Sequence, residues 1–246
     1  MTNEYINYQQ QKKYYDKKWI GWTNQKLSWD DLCRLKFVSS SIEKMKSKFK
    51  HTFKIIDLGC GRGWITDALS GYGEVVGADL SIETAQKLYP GSRFIQANIV
   101  TDKIVERYDI VVSSEVIEHL SLEDQVIYVR KAHDLLNEPG YLILTTPNKP
   151  QAENQFRRFP HTVKQPIENW LDKQSLTILL APYFEITYAG STVFHPVVIG
   201  KCGRLNSLYS LVFNYLKLYK ILNKLLSSSV RGLYLTIVAR KRIASG

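Results

Sequence analysis

The string Glu115-Val116-Ile117-Glu118-His119 brings two carboxylates and an imidazole close together. If the string forms a helical turn, Glu115, Glu118 and His119 share one face. Such a set could bind a divalent cation and leave positions open for substrate oxygens. Without a metal, an imidazole here could act as a general base. His161, farther along the chain, is the natural fourth ligand or an alternative base.

A glycine-rich turn, Asp57-Leu58-Gly59-Cys60-Gly61-Arg62-Gly63, follows a short apolar run. Its glycines remove side chains where the backbone must approach a ligand or bend sharply. Because the Asp57 carboxylate would repel a pyrophosphate, a dinucleotide fits poorly. A ligand with a cationic amino group fits this position better.

Further polar residues follow the next strands. Asp79, about 20 residues beyond the turn, can accept hydrogen bonds from ribose hydroxyls. The Asn98 oxygen can accept from an adenine amino group, and the apolar Ile99 can line the ring. The predicted ligand-binding residues are Asp57, Gly59, Cys60, Gly61, Gly63, Asp79, Leu80, Asn98, Ile99, Ser114 and Glu115.

The elements that position these residues alternate between strands and helices. Strands are predicted at residues 53–58, 74–79, 93–96, 108–113, 141–146, 184–189 and 233–239. Helices are predicted within 5–50, at 64–70, after Ser81, from Ser121 to about 136, and at 167–180. This alternation of apolar strands with helices predicts a mainly parallel sheet between two helical layers. Ligands of such sheets bind at the carboxyl ends of the strands, where the strand order reverses.

The composition limits the size of the core, the kind of partner and the expected location of the protein. The 246 residues, 44% of them hydrophobic, are enough for one sizeable core. The formal charge of +10 favours an anionic partner, although a solvated basic surface explains it equally well. Cys33, Cys60 and Cys202 form no CxxC pair, which argues against a zinc ribbon or a disulfide framework. Without an apolar signal core or a bilayer-length apolar run, a cytoplasmic location is the expectation.

Four strings carry a family resemblance: IIDLGCGRG, VVGADLS, YDIVVSSEVIEHL and LLNEPGYLILTTPN. In this order and spacing they resemble the motifs of class I S-adenosylmethionine-dependent methyltransferases, over roughly residues 50–190. The resemblance implies a Rossmann-like, doubly wound α/β fold with a mainly parallel seven-stranded sheet and an antiparallel last strand. It implies S-adenosylmethionine as cofactor, with its methionine end at Asp57 and the glycine turn, its ribose at Asp79 and its adenine near Asn98. The family often has Asp at position 98, so Asn98 keeps the acceptor but loses the charge.

The Glu-x-x-Glu-His string is similar to that of two branches of this family, the small-RNA 2′-O-methyltransferases and the ubiquinone-biosynthesis O-methyltransferases. Both branches also carry a later His after the fifth strand. This resemblance implies a divalent cation, Mg²⁺ or Zn²⁺, held by Glu115, Glu118, His119 and His161. Many metal-free relatives carry a similar string, whose residues only position the helix or contact substrate. In that case His119 or His161 is the catalytic residue.

Residues 205–226 carry apolar residues at helical spacing with Lys and Arg between them. Such a basic amphipathic helix can be a lid, a dimer face or a peripheral contact to the inner face of a membrane. The predicted organisation is an N-terminal helical cap (1–50), a cofactor-binding core (51–190), a helical insertion (191–230), and the last strand with the tail (231–246).

Three functions remain open at this point. The favoured one is O-methylation of a small molecule, a glycan or a lipid-linked intermediate. The second is methylation of an RNA 2′-hydroxyl, although the sequence has no recognisable RNA-binding module and its basic residues are scattered. The third is a cofactor-binding partner protein that has lost catalysis, against which the intact motifs argue.

Overall fold

The computed structural model describes residues 8–19, 26–158, 165–194, 225–226, 228–229 and 231–243. The strands are β1 (Phe53–Leu58), β2 (Gly73–Asp79), β3 (Arg93–Gln96), β4 (Tyr108–Ser114), β5 (Leu136–Pro147), β6 (Phe184–Thr192) and β7 (Tyr234–Lys241). The α-helices are α1 (Tyr8–Trp19), α2 (Trp29–Met45), α3 (Trp64–Ala68), α4 (Glu83–Leu88), α5 (Leu122–Asp134), α6 (Lys149–Arg158) and α7 (Lys173–Leu180). Short 3₁₀ turns cover Lys46–Lys48, Ser70–Tyr72 and Ile117–His119.

The strands form one seven-stranded sheet in the order β3-β2-β1-β4-β5-β7-β6. The pairs from β3 to β5 are parallel. Strand β7 lies between β5 and β6 and runs antiparallel to both. The predicted doubly wound, mainly parallel sheet with an antiparallel last strand is therefore confirmed. The strand order reverses between β1 and β4, so a ligand is expected beyond their carboxyl ends.

Alternate residues of the central strands enter two separate cores. Ile56 of β1 packs in the cluster that includes Val129 of α5 and Leu176 of α7. Ile55 packs on the other face, in the cluster that includes Ile42 of α2. A strand covered on both faces needs a nearly continuous apolar run, which is what residues 53–58 provide.

Strand β5 begins five residues earlier than predicted. Leu136 already pairs with Tyr108, and Tyr141 pairs with Ile110. Residues 137–140 therefore lie opposite Asp109 alone, as a bulge in the ladder. Pro139 and Gly140, which disfavour regular strand pairing, lie within this bulge.

The predicted helix at residues 167–180 is shorter in the structure. It starts at Lys173, because the Asp172 carboxylate caps it by accepting from Ser175 N at 2.7 Å. The preceding residues make hydrogen bonds to other parts of the chain instead, as when Leu171 O accepts from Lys149 N. Helix α6 was not among the predicted elements. Most of the predicted helix at 205–226 lies outside the described residues, as do His161 and Cys202. No described helix combines the length and the apolar character needed to cross a bilayer.

Candidate active site

A cavity of about 640 Å³ opens at the carboxyl ends of the central strands, within the size range of ligand pockets. One part is lined by the residues after β1, β2, β3 and β4. Another part is lined by α1, α2, α6 and residues 165–170. All predicted ligand-binding residues line this cavity except Gly63. The two N-terminal helices therefore contribute directly to the cavity wall.

The glycine turn needs its glycines for two different reasons. Gly59, Gly61 and Gly63 have φ of 75°, 51° and 80°, a region that other residues rarely adopt. A Cβ at Gly59 would lie 2.5 Å from a Val116 side-chain carbon, so the turn must pass very close to the segment after β4. A Cβ at Gly63 would lie 2.6 Å from the Phe94 ring. Gly63 thus serves the packing of the turn against β3 rather than ligand contact.

Two carboxylates stand at the strand ends. Asp57 is buried, and its Oδ2 accepts from Thr66 Oγ1 at 2.8 Å. Burial raises the pKa of Asp57 to about 7. Asp79 accepts from the backbone N–H groups of Gly61 at 2.9 Å and Ser81 at 3.0 Å. It therefore fixes the turn while facing the cavity.

Asn98 lines the cavity, but its side-chain oxygen already serves the backbone. Its Oδ1 accepts from Val100 N at 2.9 Å, and Asp102 Oδ2 accepts from Asn98 N at 2.9 Å. The side chain therefore closes the turn after β3. Thr101 N also donates to this oxygen, at 3.3 Å, so the contact to an adenine amino group stays a prediction that would have to share the oxygen with the backbone.

Arg34 of α2 was not predicted as a site residue. Its guanidinium lies 2.5 Å from Asp31 Oδ1 and 3.7 Å from Glu115 Oε1, and stacks 5.0 Å from the Tyr234 ring centroid. Arg34 Nε is buried and has no hydrogen-bond partner. A buried N–H group without an acceptor is unusual and points to a missing ligand atom. The only sequence signal for it was the predicted N-terminal helical cap (1–50), which includes this residue.

The Glu115 to His119 string begins with a bend at Glu115, whose φ of 59° lies in the left-handed region, and continues through Val116 into the 3₁₀ turn Ile117–His119. Glu115 Oε1 accepts from Thr145 Oγ1 at 3.1 Å, and Glu118 Oε2 accepts from Thr146 Oγ1 at 2.9 Å. Burial raises the pKa of Glu115 to about 8, against the effect of Arg34, and raises the pKa of Glu118 to about 7.

His119 has a defined tautomer. Its Nδ1 lies 3.0 Å from the carbonyl oxygen of Ile167, and because a carbonyl only accepts, Nδ1 must carry the hydrogen. The neutral ring then presents Nε2 as an acceptor, 3.7 Å from Glu118 Oε1. Burial lowers the pKa of His119, which favours the neutral form at physiological pH.

Among the described residues, no group of three His, Cys, Asp or Glu side chains is arranged to hold a metal ion. Glu115 is directed to Thr145 and Arg34, whereas Glu118 is directed to Thr146 and His119. The described part of the predicted metal set therefore does not fit a divalent cation, and His161 lies outside it. The chemistry below uses no metal.

The fold and the cavity define a Rossmann-like protein with a ligand cavity at the switch point of its sheet. A methyltransferase domain model matches residues 32–183, so the chain belongs to that domain family. Together with the relatives below, this identifies a class I S-adenosylmethionine-dependent methyltransferase, as the sequence motifs predicted.

Two curated relatives indicate the range of similarity. Ubiquinone biosynthesis O-methyltransferase of Ruegeria pomeroyi is 28% identical over 132 residues, 48% of this chain and 52% of that protein. The mitochondrial ubiquinone biosynthesis O-methyltransferase of Bos taurus is 33% identical over 111 residues, 40% of this chain and 30% of that protein. The matches therefore span about half or less of these relatives.

Solved structures support the fold over nearly the whole chain. Magnesium protoporphyrin IX methyltransferase from Synechocystis PCC 6803, with bound SAH, aligns with a TM-score of 0.61 at 14% identity, covering 96% of this chain and 100% of that one. The N-methyltransferase NodS from Bradyrhizobium japonicum aligns with a TM-score of 0.58 at 12% identity, covering 95% of this chain and 99% of that one. At these identities the likeness concerns the fold alone.

Proposed function

We propose that this methyltransferase methylates a hydroxyl oxygen of a small molecule, a glycan or a lipid-linked intermediate, and that His119 is the general base. The observation that carries the proposal is the His119 ring: its Nδ1–H is bound to Ile167 O, its Nε2 is left as an acceptor, and the residue lines the cavity. A hydroxyl acceptor has to lose a proton during the transfer, and a neutral imidazole can take it.

S-adenosylmethionine, when bound, supplies a methyl group on a sulfonium that departs as a neutral thioether. His119 Nε2 accepts the hydroxyl proton while the oxygen bonds to the methyl carbon and the carbon–sulfur bond breaks. The nearby Glu118 carboxylate, 3.7 Å from Nε2, stabilises the imidazolium that results. The imidazolium then returns its proton to solvent.

The residues that line the cavity match the chemical groups of the cofactor. The Arg34 Nε–H without a partner suits a carboxylate, and the buried Asp57 carboxyl suits an ammonium group. Asp79, which faces the cavity beside the glycine turn, suits ribose hydroxyls. These three residues would hold the two ends of S-adenosylmethionine, with Leu80 and Ile99 beside the adenine.

The His119→Asn variant tests the base. The shorter amide retains a donor for Ile167 O but removes the basic nitrogen. We expect methyl transfer to fall by about 10²–10⁴-fold, with little change in the Kd for S-adenosylmethionine measured by calorimetry. His133→Asn is the matched control, because His133 lies at the far end of α5 and contacts Asp134 and Arg242.

Three outcomes would count against the proposal. Wild-type protein that fails to bind S-adenosylmethionine at millimolar ligand would contradict the central assignment. Transfer by His119→Asn at the wild-type rate would contradict the base. Transfer that is abolished by a chelator and restored by Mg²⁺ or Zn²⁺ would show that a metal, rather than the imidazole, activates the hydroxyl.

A further inference from the structure

Residues 165–170, between α6 and α7, are bound directly to the turn that carries His119. Asn169 N donates to Glu118 O at 2.7 Å, and Asn169 Nδ2 donates to Leu120 O at 2.9 Å. Ile167 O accepts from His119 Nδ1 at 3.0 Å. Three hydrogen bonds thus hold this segment, called here the 165–170 segment, against the catalytic turn. A molecule that contacts the segment is therefore held near His119.

Gln165 supplies an unsatisfied acceptor in this segment. Its backbone N–H donates to Glu168 Oε1 at 3.2 Å. Its side-chain Oε1 is buried, lines the cavity wall with the rest of the residue, and has no hydrogen-bond partner. Because buried polar atoms are nearly always paired, this oxygen is suited to a donor brought by the acceptor molecule.

Two aromatic rings stand next to these polar groups. Phe156 of α6 and Trp170 have ring centroids 6.1 Å apart at an interplanar angle of 50°, and both line the cavity. The negative faces of aromatic rings attract the slightly positive C–H groups of an aliphatic ring. The pair therefore offers a surface for the flat face of a ring whose edge carries polar groups.

A basic and an acidic side chain also line this cavity. Lys18 of α1 and Glu168 both line the cavity, and Lys18 Nζ lies 5.7 Å from the centroid of the Tyr15 ring. Burial lowers the pKa of Lys18, and the charge of Glu168 opposes this effect. The wall thus combines a donor, a carboxylate and an amide oxygen within one compartment. A ligand with several hydroxyls can form hydrogen bonds with all three, because each hydroxyl both donates and accepts.

We propose that Lys18, Phe156 and the 165–170 segment form the acceptor subsite, and that its ligand is a sugar or sugar-like ring with several hydroxyls. The inference rests on the proposed function, since one of these hydroxyls receives the methyl group. A planar phenol with one or two hydroxyls could engage fewer of these groups than a ring with hydroxyls around its edge.

The substrate class is tested with wild-type protein and tritium-labelled S-adenosylmethionine. The acceptors are methyl glycosides of common hexoses, deoxyhexoses and N-acetylhexosamines, two phenols (catechol and hydroxybenzoate), and total RNA. We expect label in at least one glycoside and none in the phenols or RNA. Label only in phenols or RNA, or in no acceptor at all, overturns the sugar assignment. Absence of S-adenosylmethionine binding overturns the proposed function instead.

The subsite is tested with Gln165→Met, which keeps the side-chain length and removes the acceptor oxygen. We expect the KM for the glycoside to rise about tenfold, the loss of roughly one hydrogen bond, while the Kd for S-adenosylmethionine stays unchanged. Gln174→Met, on the exposed face of α7, is the matched control. The Glu168→Gln variant retains an oxygen that can accept from Gln165 N–H. Its KM for the glycoside is a second test of the subsite. Wild-type KM in both subsite variants would show that the segment does not contact the acceptor.

Discussion

Arg34 Nη1 lies 3.7 Å from Glu115 Oε1, and this ion pair joins helix α2 to the segment after β4 in the lining of the cavity. The pair places a guanidinium beside a carboxylate whose pKa is raised to about 8 by burial. Under the proposed function, Arg34 binds the carboxylate of the cofactor's methionine end and Asp57 binds its ammonium group, while Glu115 helps to hold the Arg34 guanidinium in place.

Arg34→Gln should weaken S-adenosylmethionine binding by about 10–100-fold, because a charge-assisted hydrogen bond is worth about 1.5–3 kcal/mol. Calorimetry measures the Kd. Arg240→Gln is the matched control, since Arg240 pairs with Glu185 on the exposed end of the sheet. An unchanged Kd in Arg34→Gln would show that the buried Nε does not face the cofactor.

S-adenosylmethionine affinity should depend on the ionisation of Asp57. An ammonium group binds the ionised carboxylate, and the pKa of Asp57 is raised to about 7. The Kd is therefore expected to rise up to about tenfold for each pH unit below 7 and to level off above it. The Asp57→Asn variant should bind S-adenosylmethionine weakly, and its Kd should change less than that of the wild type between pH 5.5 and 8.5. If the wild-type Kd does not change over this range, Asp57 is not the ammonium partner.

The cofactor-free protein should be more stable at pH 5.5 than at pH 8.5. Burial raises the pKa values of Glu115 and Glu118 to about 8 and 7 in the folded protein, from an ordinary value of 4.5. Between these values the folded state binds more protons than the unfolded state, so the free energy of unfolding falls as pH rises. Urea unfolding measures this slope. Glu118→Gln should reduce it, whereas Glu123→Gln on α5 should leave it unchanged; equal slopes in all three proteins would refute the assignment.

Gln125→Leu should separate the 165–170 segment from the catalytic turn. The buried Gln125 Nε2 donates to Ile117 O at 3.0 Å and to Asn169 O at 3.2 Å. Removing both hydrogen bonds should cost about 1–3 kcal/mol of stability, mainly because Asn169 O loses its donor while Ile117 O keeps the one from Leu120 N. Because His119 is held by the same segment, kcat should fall more than the affinity for S-adenosylmethionine. Gln86→Leu, on the exposed face of α4, is the control. A normal kcat together with the stability loss would make Gln125 structural only.

The sequence by itself determined the elements and the cofactor end of the site. Strands β1 (Phe53–Leu58) and β3 (Arg93–Gln96) have the predicted bounds, because each is a short run that ends in a turn signal. The sequence also predicted the glycine turn, Asp57 and Asp79 as site features, since each stands at the end of a strand. Such information is local: it depends on the order of apolar residues, glycines and carboxylates within a few positions.

The tertiary structure alone decided which distant residues complete the site. Arg34 reaches Glu115 from 81 positions away only because α2 packs on the sheet next to β1 and β4. His119 gains its tautomer from Ile167, in a segment that the periodicity predicted to be helical. The irregular backbone there is held by bonds to Glu118 and Leu120, and no local pattern encodes those partners. Pairing across such distances is fixed by the packing of whole elements, so the glycine turn was predictable and the acceptor wall was not.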